Sequence, residues 1–296
     1  MKKFFMAVIA LMMTASVSAQ FYIYLSNGDV LQADSISTVA PTPGMLSGEF
    51  SVGDTKKVHF SKGNLQATYD GSSWTWSFAT NQWDYIGNAA ANNAITGNGT
   101  VSSNGTVDLF GWSTTATNYG IHNSKDNSDY SGDFVEWGNN PITNGGNKAN
   151  MWHTLKADEW VYLFKTRKDA SNKFGAAKVN DKTGIVLLPD NWTLPSGCDF
   201  TPGITSASTG ADWSLVASTN IYEGDDWTAM EKAGAVFLPA AGNRSGSDVG
   251  YGGSIGYYWS ATPYDTNKAY FRYFDSNFYT QHYNNRYYGF SVRLVR

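Results

Sequence analysis

The sequence predicts an α+β domain made of short strands, two main helices and long loops. The 296 residues include 30 glycines, and 15% of the chain is aromatic, a composition typical of packed loops and short strands. Segments of β-branched and aromatic residues are short, and only two segments space their apolar residues as a helix does. Because helices do not alternate regularly with strands, the pattern favours an α+β fold over a parallel α/β sheet.

The chain is predicted to begin with a small arm. Residues 21–25 alternate like a strand, and residues 26–29 form a turn signal. A Pro- and Gly-containing segment at residues 40–44 reads as a linker. We interpret residues 20–48 as an arm and linker, and residues 49–296 as one domain because their composition is uniform.

Within the domain, strands are predicted at residues 58–60, 74–78 and 184–188. Residues 86–106 are mostly Asn, Gly, Ala, Ser and Thr, which predicts a surface loop with little to bury. Near the end of the chain, apolar residues alternate with Ser and Arg over residues 290–294, which predicts a half-buried core strand.

Two helices stand out. The first is predicted at residues 156–168, with Thr154 as its N-cap and acidic residues in its first turn. The second is predicted at residues 226–233, with Asp225 or Asp226 as its cap. The apolar face of the first helix comprises Trp160, Leu163 and Phe164.

The first 19 residues predict export. Lys2 and Lys3 precede an apolar run, and Ala19 ends a small-residue cleavage signal. The run is too short to span a bilayer, so we expect no transmembrane segment and an extracellular, cell-surface or periplasmic location. Without this leader, 19 Lys and Arg face 25 Asp and Glu, a net charge of −6. That balance argues against a nucleic-acid partner.

Motifs for catalysis and for metal binding are missing from the sequence. Cys198 is the single cysteine, and the four histidines show no pair at ligand spacing, so we predict no cofactor, no metal and no catalytic residue. Residues 126–129 are rich in oxygen ligands but are interpreted as a solvated turn. A glycosidase remains an alternative, since two facing carboxylates could come from Glu136, Asp158, Glu159, Glu223, Asp225, Asp226 or Glu231.

The C-terminal region is the richest in tyrosine. Residues 251–290 hold 15 aromatic residues and 10 of the 18 tyrosines. A core of this size cannot satisfy so many phenol hydroxyls, so many of these rings are expected at the surface. Residues 278–289 show neither strand nor helix period, and Tyr with Asn and Asp is typical of recognition surfaces. The alternative is a tyrosine-rich edge that only covers the core.

Several segments resemble a known family. They resemble secreted Bacteroidales proteins with a C-type-lectin-like fold, and the C-terminal ones resemble the variable regions of diversity-generating retroelement target proteins. The similarity extends over roughly residues 50–296. The segments are Trp83–Gly87, Asp108–Trp112, Asp158–Phe164, Gly256–Tyr264, Asn285–Gly289 and Phe290–Arg296.

The resemblance implies a C-type lectin fold of the formylglycine-generating-enzyme subtype, with a ligand-display region at residues 251–296. In these relatives, mutagenesis at adenines rewrites AAC codons, and 23 of the 25 residues from Tyr264 to Tyr288 belong to the reachable set. Lys268 and Gln281 are the exceptions. The implied ligand-binding positions are Tyr264, Asp265, Thr266, Phe271, Tyr273, Asp275, Phe278, Tyr279, His282, Tyr283, Asn284, Asn285, Tyr287 and Tyr288. The implied scaffold positions are Trp259, Tyr270, Phe274, Phe290, Val292 and Leu294, whereas Arg272 fits neither group.

The sequence therefore predicts a secreted binding protein without catalysis, which recognises a protein or glycan ligand through rigid tyrosines and adaptable polar residues. On this view Tyr279 and Tyr283 both face outward, and both are dispensable for folding. Two alternatives stay open: a carbohydrate-active enzyme whose aromatic residues line a sugar cleft, and a non-varying structural or adhesin component of the same fold.

Overall fold

The computed structural model describes residues 42–87, 92, 95, 105–204, 220–276 and 279–296, together with two strands between residues 21 and 33. Contacts divide the chain into two units, Met1–Pro41 and Thr42–Arg296. In the first unit, β1 (Phe21–Tyr24) pairs antiparallel with β2 (Val30–Ala33). The leader expected at residues 1–19 and the turn expected at residues 26–29 lie outside the described residues.

The second unit is a mixed α+β fold in which strands predominate. Among the described residues it contains two α-helices, α1 (Ala157–Val161) and α2 (Gly224–Lys232). Neither is long and apolar enough to cross a membrane. The strands are β3 (Phe50–Ser51), β4 (Lys57–Val58), β5 (Leu65–Tyr69), β6 (Trp74–Phe78), β7 (Gly105–Val107), β8 (His153–Thr154), β9 (Phe174–Val179), β10 (Lys182–Leu187), β11 (Ile221–Tyr222), β12 (Val236–Pro239), β13 (Asn243–Ser245), β14 (Asp248–Gly250), β15 (Gly256–Pro263), β16 (Lys268–Phe274), β17 (Tyr279–Asn285) and β18 (Leu294–Val295).

The described strands form several small sheets rather than one large one. A four-stranded sheet has the order β11-β9-β10-β12, and two three-stranded sheets have the orders β6-β5-β7 and β15-β16-β17. In the four-stranded sheet β11 runs parallel to β9, whereas the other neighbours are antiparallel. The remaining strands of this unit pair as β3-β4, β8-β18 and β13-β14. The strands predicted at residues 74–78 and 184–188 are confirmed as β6 and as part of β10.

Helix α1 is shorter than the sequence predicts. After Val161 the chain continues as a π-helix over Tyr162–Thr166. The predicted cap is wrong, because Thr154 lies in β8 and donates its N–H and hydroxyl to the Glu136 carboxylate. Lys156 is the N-cap residue, and its N–H donates to the Glu159 carboxylate at 2.8 Å. The predicted apolar face is confirmed, since Trp160, Leu163 and Phe164 are all buried.

Helix α2 begins at Gly224, two residues before the predicted start. Glu223 is the N-cap residue, so Asp225 and Asp226 lie in the first turn rather than at the cap. There the helix dipole favours their negative charge. Trp227 and Met230 form the buried face of the helix.

Two apolar clusters lie on opposite sides of the β15-β16-β17 sheet. The first, which we call the helix-side core, includes Trp160, Phe164, Phe174, Tyr258 and Phe274. The second, the tryptophan core, includes Trp112, Trp137, Trp152, Trp259, Phe271 and Phe290. Because successive residues of a strand face opposite sides, this sheet contributes to both clusters at once.

Buried arginines hold the loops together. Arg244 donates to the carbonyl oxygens of Leu109, His122 and Gly246. Arg286 donates to those of Tyr130, Gly132, Asp265 and Lys268. Arg293 donates to Asn64, Lys62 and Gln82. These guanidinium groups thus supply hydrogen-bond donors to backbone and side-chain oxygens in the interior, which need such partners when buried.

Three segments differ from the predictions. The segment predicted to be irregular contains a regular strand, β17, whose seven residues pair with β16. The final predicted strand is shorter, since β18 covers only Leu294–Val295, although Phe290 exchanges backbone hydrogen bonds with Phe110. The predicted surface loop at residues 86–106 buries both Asn92 and Ile95.

Candidate ligand-binding surface

The β15-β16-β17 sheet presents two different faces. Its register places Phe271 opposite His282 and Arg272 opposite Gln281. The first pair belongs to what we call the groove face, which comprises Phe271, Tyr273, Thr280, His282 and Asn284. The second pair belongs to the helix face, which comprises Tyr270, Arg272, Phe274, Tyr279, Gln281 and Tyr283 and packs against the helix-side core.

The groove face carries two adjoining clefts. One has a volume of about 250 Å³ and is lined by Tyr257, Phe271, Tyr273, Thr280, His282 and Asn284. The other has a volume of about 430 Å³ and is lined by Asn243, Ser245, Tyr251, Ile255, Tyr257, Asn284 and Tyr288. Since Tyr257 and Asn284 line both, we treat the two clefts as one site and call it the tyrosine groove.

Aromatic stacking fixes the floor of the groove. The rings of Tyr257 and Phe290 lie 4.8 Å apart at 14°, and those of Tyr288 and Phe290 lie 5.8 Å apart at 14°. Tyr273 meets Tyr257 edge-on at 5.4 Å, and its hydroxyl donates to Asp275 Oδ2 at 2.7 Å. The rings are thus held in place before any ligand arrives, which lowers the entropy cost of binding.

The groove offers neutral hydrogen-bonding groups. Burial raises the pKa of Tyr257 to about 12. Burial and the hydrogen bond to Asp275 also raise the pKa of Tyr273. Both hydroxyls therefore keep their protons at neutral pH. Within the described part of the chain the Tyr257 hydroxyl makes no hydrogen bond, so it is available to a ligand.

Strand β17 lies at the edge of its sheet, and its side chains bond to its own backbone. Thr280 Oγ1 donates to the Gln281 carbonyl at 3.1 Å. The N–H groups of Tyr283 and Asn285 donate to His282 Nδ1 at 2.9 Å and to Asn284 Oδ1 at 2.8 Å. These contacts occupy backbone groups that an edge strand would otherwise offer to another strand. They also orient three side chains of the groove.

A pair of stacked tyrosines stands on the other side of the sheet. The rings of Tyr264 and Tyr283 are parallel within 5°, with centroids 3.7 Å apart, and both are exposed, by 44% and 37%. Asp265, Thr266 and Tyr264 also line a cleft of about 400 Å³ beside Arg286. Asp265 Oδ1 accepts the N–H groups of Asn267 and Lys268, so it shapes the turn between β15 and β16.

The structure does not bring all fourteen predicted positions to one surface. Tyr273, His282, Asn284 and Tyr288 line the tyrosine groove. Tyr264, Asp265, Thr266 and Tyr283 are exposed on other parts of the surface. Asn285 and Tyr287 are half-buried and are joined by a hydrogen bond of 3.3 Å. Phe278 lies outside the described residues.

Three predicted display positions are corrected. Phe271 is only 2% exposed because it packs in the tryptophan core, and only its edge lines the groove. Asp275 is 8% exposed, and its carboxylate accepts the Tyr273 hydroxyl. Tyr279 is half-buried because its ring packs 4.5 Å from that of Phe174. Of the ten tyrosines in residues 251–290, three are exposed, five are half-buried and two are buried.

Sequence reasoning missed several residues of the groove. The predicted ligand-binding positions do not include five residues that line it: Asn243, Ser245, Tyr251, Tyr257 and Thr280. Thr280 carries the clearest signal, because it alternates with His282 and Asn284 once β17 is recognised as a strand. Asn243 and Ser245 come from β13, which only the fold brings next to β15.

Other chemistry-bearing side chains have structural roles. Cys198 is buried, and burial raises the pKa of its thiol, which makes it a poor nucleophile. Glu136 is held by Thr154, and burial raises its pKa. Asp126 caps a short 3₁₀ turn, Asn127–Tyr130. The described residues contain no group of three or more His, Cys, Asp or Glu that could hold a metal ion.

Comparison with known proteins gave one family match. Residues 196–295 match the model of a domain of unknown function (DUF8237). The match covers about a third of the chain and includes α2, the whole β15-β16-β17 sheet and most of the tyrosine groove. No curated protein and no solved structure matched the chain.

Proposed function

We propose that this chain is a secreted ligand-binding protein, and that the tyrosine groove is its recognition site for a glycan or protein ligand. The observation that carries the proposal is the sharing of Tyr257 and Asn284 by two clefts whose aromatic floor is already fixed. Rigid aromatic rings beside small polar side chains are the usual composition of a recognition surface.

The lining of the groove favours binding over hydrolysis. Glycoside hydrolysis needs two carboxyl groups that face each other across the bond. The described residues that line the two clefts include no Asp or Glu. The side chains present are hydroxyl, amide, imidazole and aromatic groups, which hydrogen-bond and stack.

We further propose that the domain has a C-type-lectin-like fold and that its C-terminal strands are a diversified region like those of retroelement target proteins. The arrangement of β17 supports this proposal. Its groove-face residues Thr280, His282 and Asn284 lie on an edge strand above a buried aromatic layer. Side chains at such positions can change without disturbing the packing beneath them.

The experiment is a binding screen with a paired set of variants. Purified protein is applied to an array of neutral and acidic oligosaccharides, and to bacterial surface proteins immobilised individually. We expect His282→Ala combined with Asn284→Ala to weaken capture of any ligand found by at least about tenfold, or 1.4 kcal/mol. Tyr264→Ala, on the other side of the sheet, is the matched control.

Equal capture by the double variant and the wild type would contradict the proposal, provided that both melt at similar temperatures. Release of reducing ends from any oligosaccharide would instead favour an enzyme. Concentration-dependent self-association without a foreign ligand would favour a structural component.

A further inference from the structure

Arg272 differs from the other buried arginines of the domain. It is 0% exposed on the helix face of β16, and its guanidinium carbon lies 3.9 Å from the ring centroid of Phe164 and 4.9 Å from that of Tyr279. Arg244 donates to three carbonyl groups and Arg286 to four. In the described part of the chain, none of the three guanidinium nitrogens of Arg272 has a hydrogen-bond partner.

An unpaired guanidinium in this position is costly. Burial lowers the pKa of Arg272 to about 9, so the group is still protonated at neutral pH. A buried charge without a hydrogen-bond partner is strongly unfavourable, and the two aromatic rings compensate only part of this. The remaining donors are therefore suited to an anionic group that comes from outside the chain.

Gln281 gives this region a second set of unused polar atoms. It lies directly opposite Arg272 across the β16-β17 pair. Its Nε2 and Oε1 are both buried, and neither has a hydrogen-bond partner among the described residues. Because its amide makes no hydrogen bond, the side chain can move aside without breaking one.

Gln281 lies between Arg272, which is 0% exposed, and a surface cleft. It lines a cleft of about 510 Å³ between α1 and the helix face, together with Lys156, Ala157, Asp158, Val161, Thr262 and Tyr270. This volume suits a small ligand. The charged residues of the lining are Lys156 and Asp158, both exposed, and Asp158 Oδ1 accepts the Glu159 N–H at 3.1 Å. The lining carries one charge of each sign, and Arg272, opposite Gln281 but outside the lining, is the nearby buried positive charge.

We propose that this cleft binds a small molecule through a carboxylate, which reaches the Arg272 guanidinium when the Gln281 side chain moves aside and which the Gln281 amide then holds from the cleft side. A carboxylate matches the planar fork of a guanidinium and its single positive charge. Gln281 Oε1 is then free to accept a hydroxyl or N–H of the same ligand. The site lies on the opposite face from the tyrosine groove, so it does not depend on the function proposed for that groove.

The experiment titrates the full chain with sodium D-glucuronate, sodium N-acetyl-L-glutamate and D-glucose at constant ionic strength, by calorimetry and by melting temperature. We expect one or both carboxylates to bind and D-glucose not to bind. Glucuronate alone would identify a uronic acid site, and N-acetylglutamate alone an acidic amino-acid site. No binding of either carboxylate would overturn the proposal.

Two variants test the role of Arg272. Arg272→Met should reduce carboxylate binding at least tenfold, while the exposed Arg296→Met, the matched control, should not change it. Gln281→Glu supplies an internal carboxylate beside Arg272, so we expect a higher melting temperature together with loss of binding. If Arg272→Met does not fold, Gln281→Glu still tests whether the carboxylate binds beside Arg272. Unchanged affinity in Gln281→Glu would overturn the proposal.

Discussion

Asn92 and Asp108 exchange two hydrogen bonds inside the domain. Asn92 Nδ2 donates to Asp108 Oδ1 at 2.7 Å, and the Asp108 N–H donates to Asn92 Oδ1 at 2.9 Å. The other carboxylate oxygen accepts the Ile86 N–H at 2.7 Å. These bonds favour the charged form, but complete burial outweighs them and raises the pKa of Asp108 to about 6.

This raised pKa predicts a pH dependence of stability. Between about pH 4 and pH 6, folding takes up a proton at Asp108, so the contribution of this group to stability falls as the pH rises through that interval. The full effect is at most about 3 kcal/mol. We expect Asp108→Asn to remove this fall, so that the unfolding free energy at pH 7.5 minus that at pH 4.5, measured by urea denaturation, is more positive in the variant than in the wild type.

The absolute stability of Asp108→Asn is expected to fall, because an amide group would face the donors that now bond to the carboxylate. Only the change in the pH dependence of stability tests whether Asp108 has the raised pKa. Identical pH profiles for the variant and the wild type would show that Asp108 does not titrate in this range.

Tyr279 and Tyr283 should respond differently to truncation, contrary to the expectation that both are dispensable for folding. Tyr279 packs against Phe174 and Phe164, so Tyr279→Ala is expected to cost about 2 kcal/mol or more. Tyr283 is exposed and loses mainly its stack on Tyr264, so Tyr283→Ala should cost about 1 kcal/mol or less. Chemical denaturation of the two variants measures the difference, and equal costs would contradict it.

Trp259 is expected to be essential for the fold. It is 1% exposed, its indole N–H donates to the Phe110 carbonyl at 2.7 Å, and its ring lies 4.4 Å from that of Phe290. Trp259→Ala should cost about 3–5 kcal/mol, through the cavity and the lost indole hydrogen bond. Thermal unfolding followed by circular dichroism measures this loss, and a shift of less than a few degrees would show that the tryptophan core repacks.

Arg286 is expected to contribute more to the stability of the fold than a surface charge would. Its guanidinium lies 4.3 Å from the Trp112 ring centroid and donates to four carbonyl groups, those of Tyr130, Gly132, Asp265 and Lys268. Arg286→Met removes this donor from all four, so we expect a loss of at least about 2 kcal/mol. The exposed Arg296→Met serves as control, and equal melting temperatures for the two variants would contradict the prediction.

Local patterns predicted where both helices and the strands β6 and β10 lie, but not the bounds or caps of the helices. The spacing of Trp160, Leu163 and Phe164 identified the buried face of α1, although the π-helix that follows has no distinct sequence signal. The polar composition of residues 86–106 predicted an exposed loop, but Asn92 is buried because it exchanges hydrogen bonds with Asp108. Nothing in the local sequence indicates this long-range pairing. The prediction of Thr154 as the N-cap of α1 was also wrong, because its hydroxyl donates to the Glu136 carboxylate, which is distant in sequence.

The sequence could locate the binding region but not its orientation. The family resemblance assigned Phe271 and Tyr273 to display positions and Tyr270 and Phe274 to scaffold positions, and the register places these two pairs on opposite faces of β16. Alternation along the strand could not show which side is open, because apolar residues occur on both. The structure explains this ambiguity, since one face of the sheet meets the tryptophan core and the other the helix-side core. Strand β17 escaped detection because neither of its faces is purely apolar: one holds Thr280, His282 and Asn284, and on the other Gln281 separates two tyrosines.

The placement of β17 between two clefts restricts how this part of the chain can evolve. His282 belongs to one cleft and Gln281 to the other, and they are neighbours in the chain. Inserting or deleting a single residue before Tyr279 would exchange every side chain of the strand between the two sides. Substitution at constant length changes one side and leaves the other intact. Natural variants of this strand should therefore differ in residue type and keep the same number of residues.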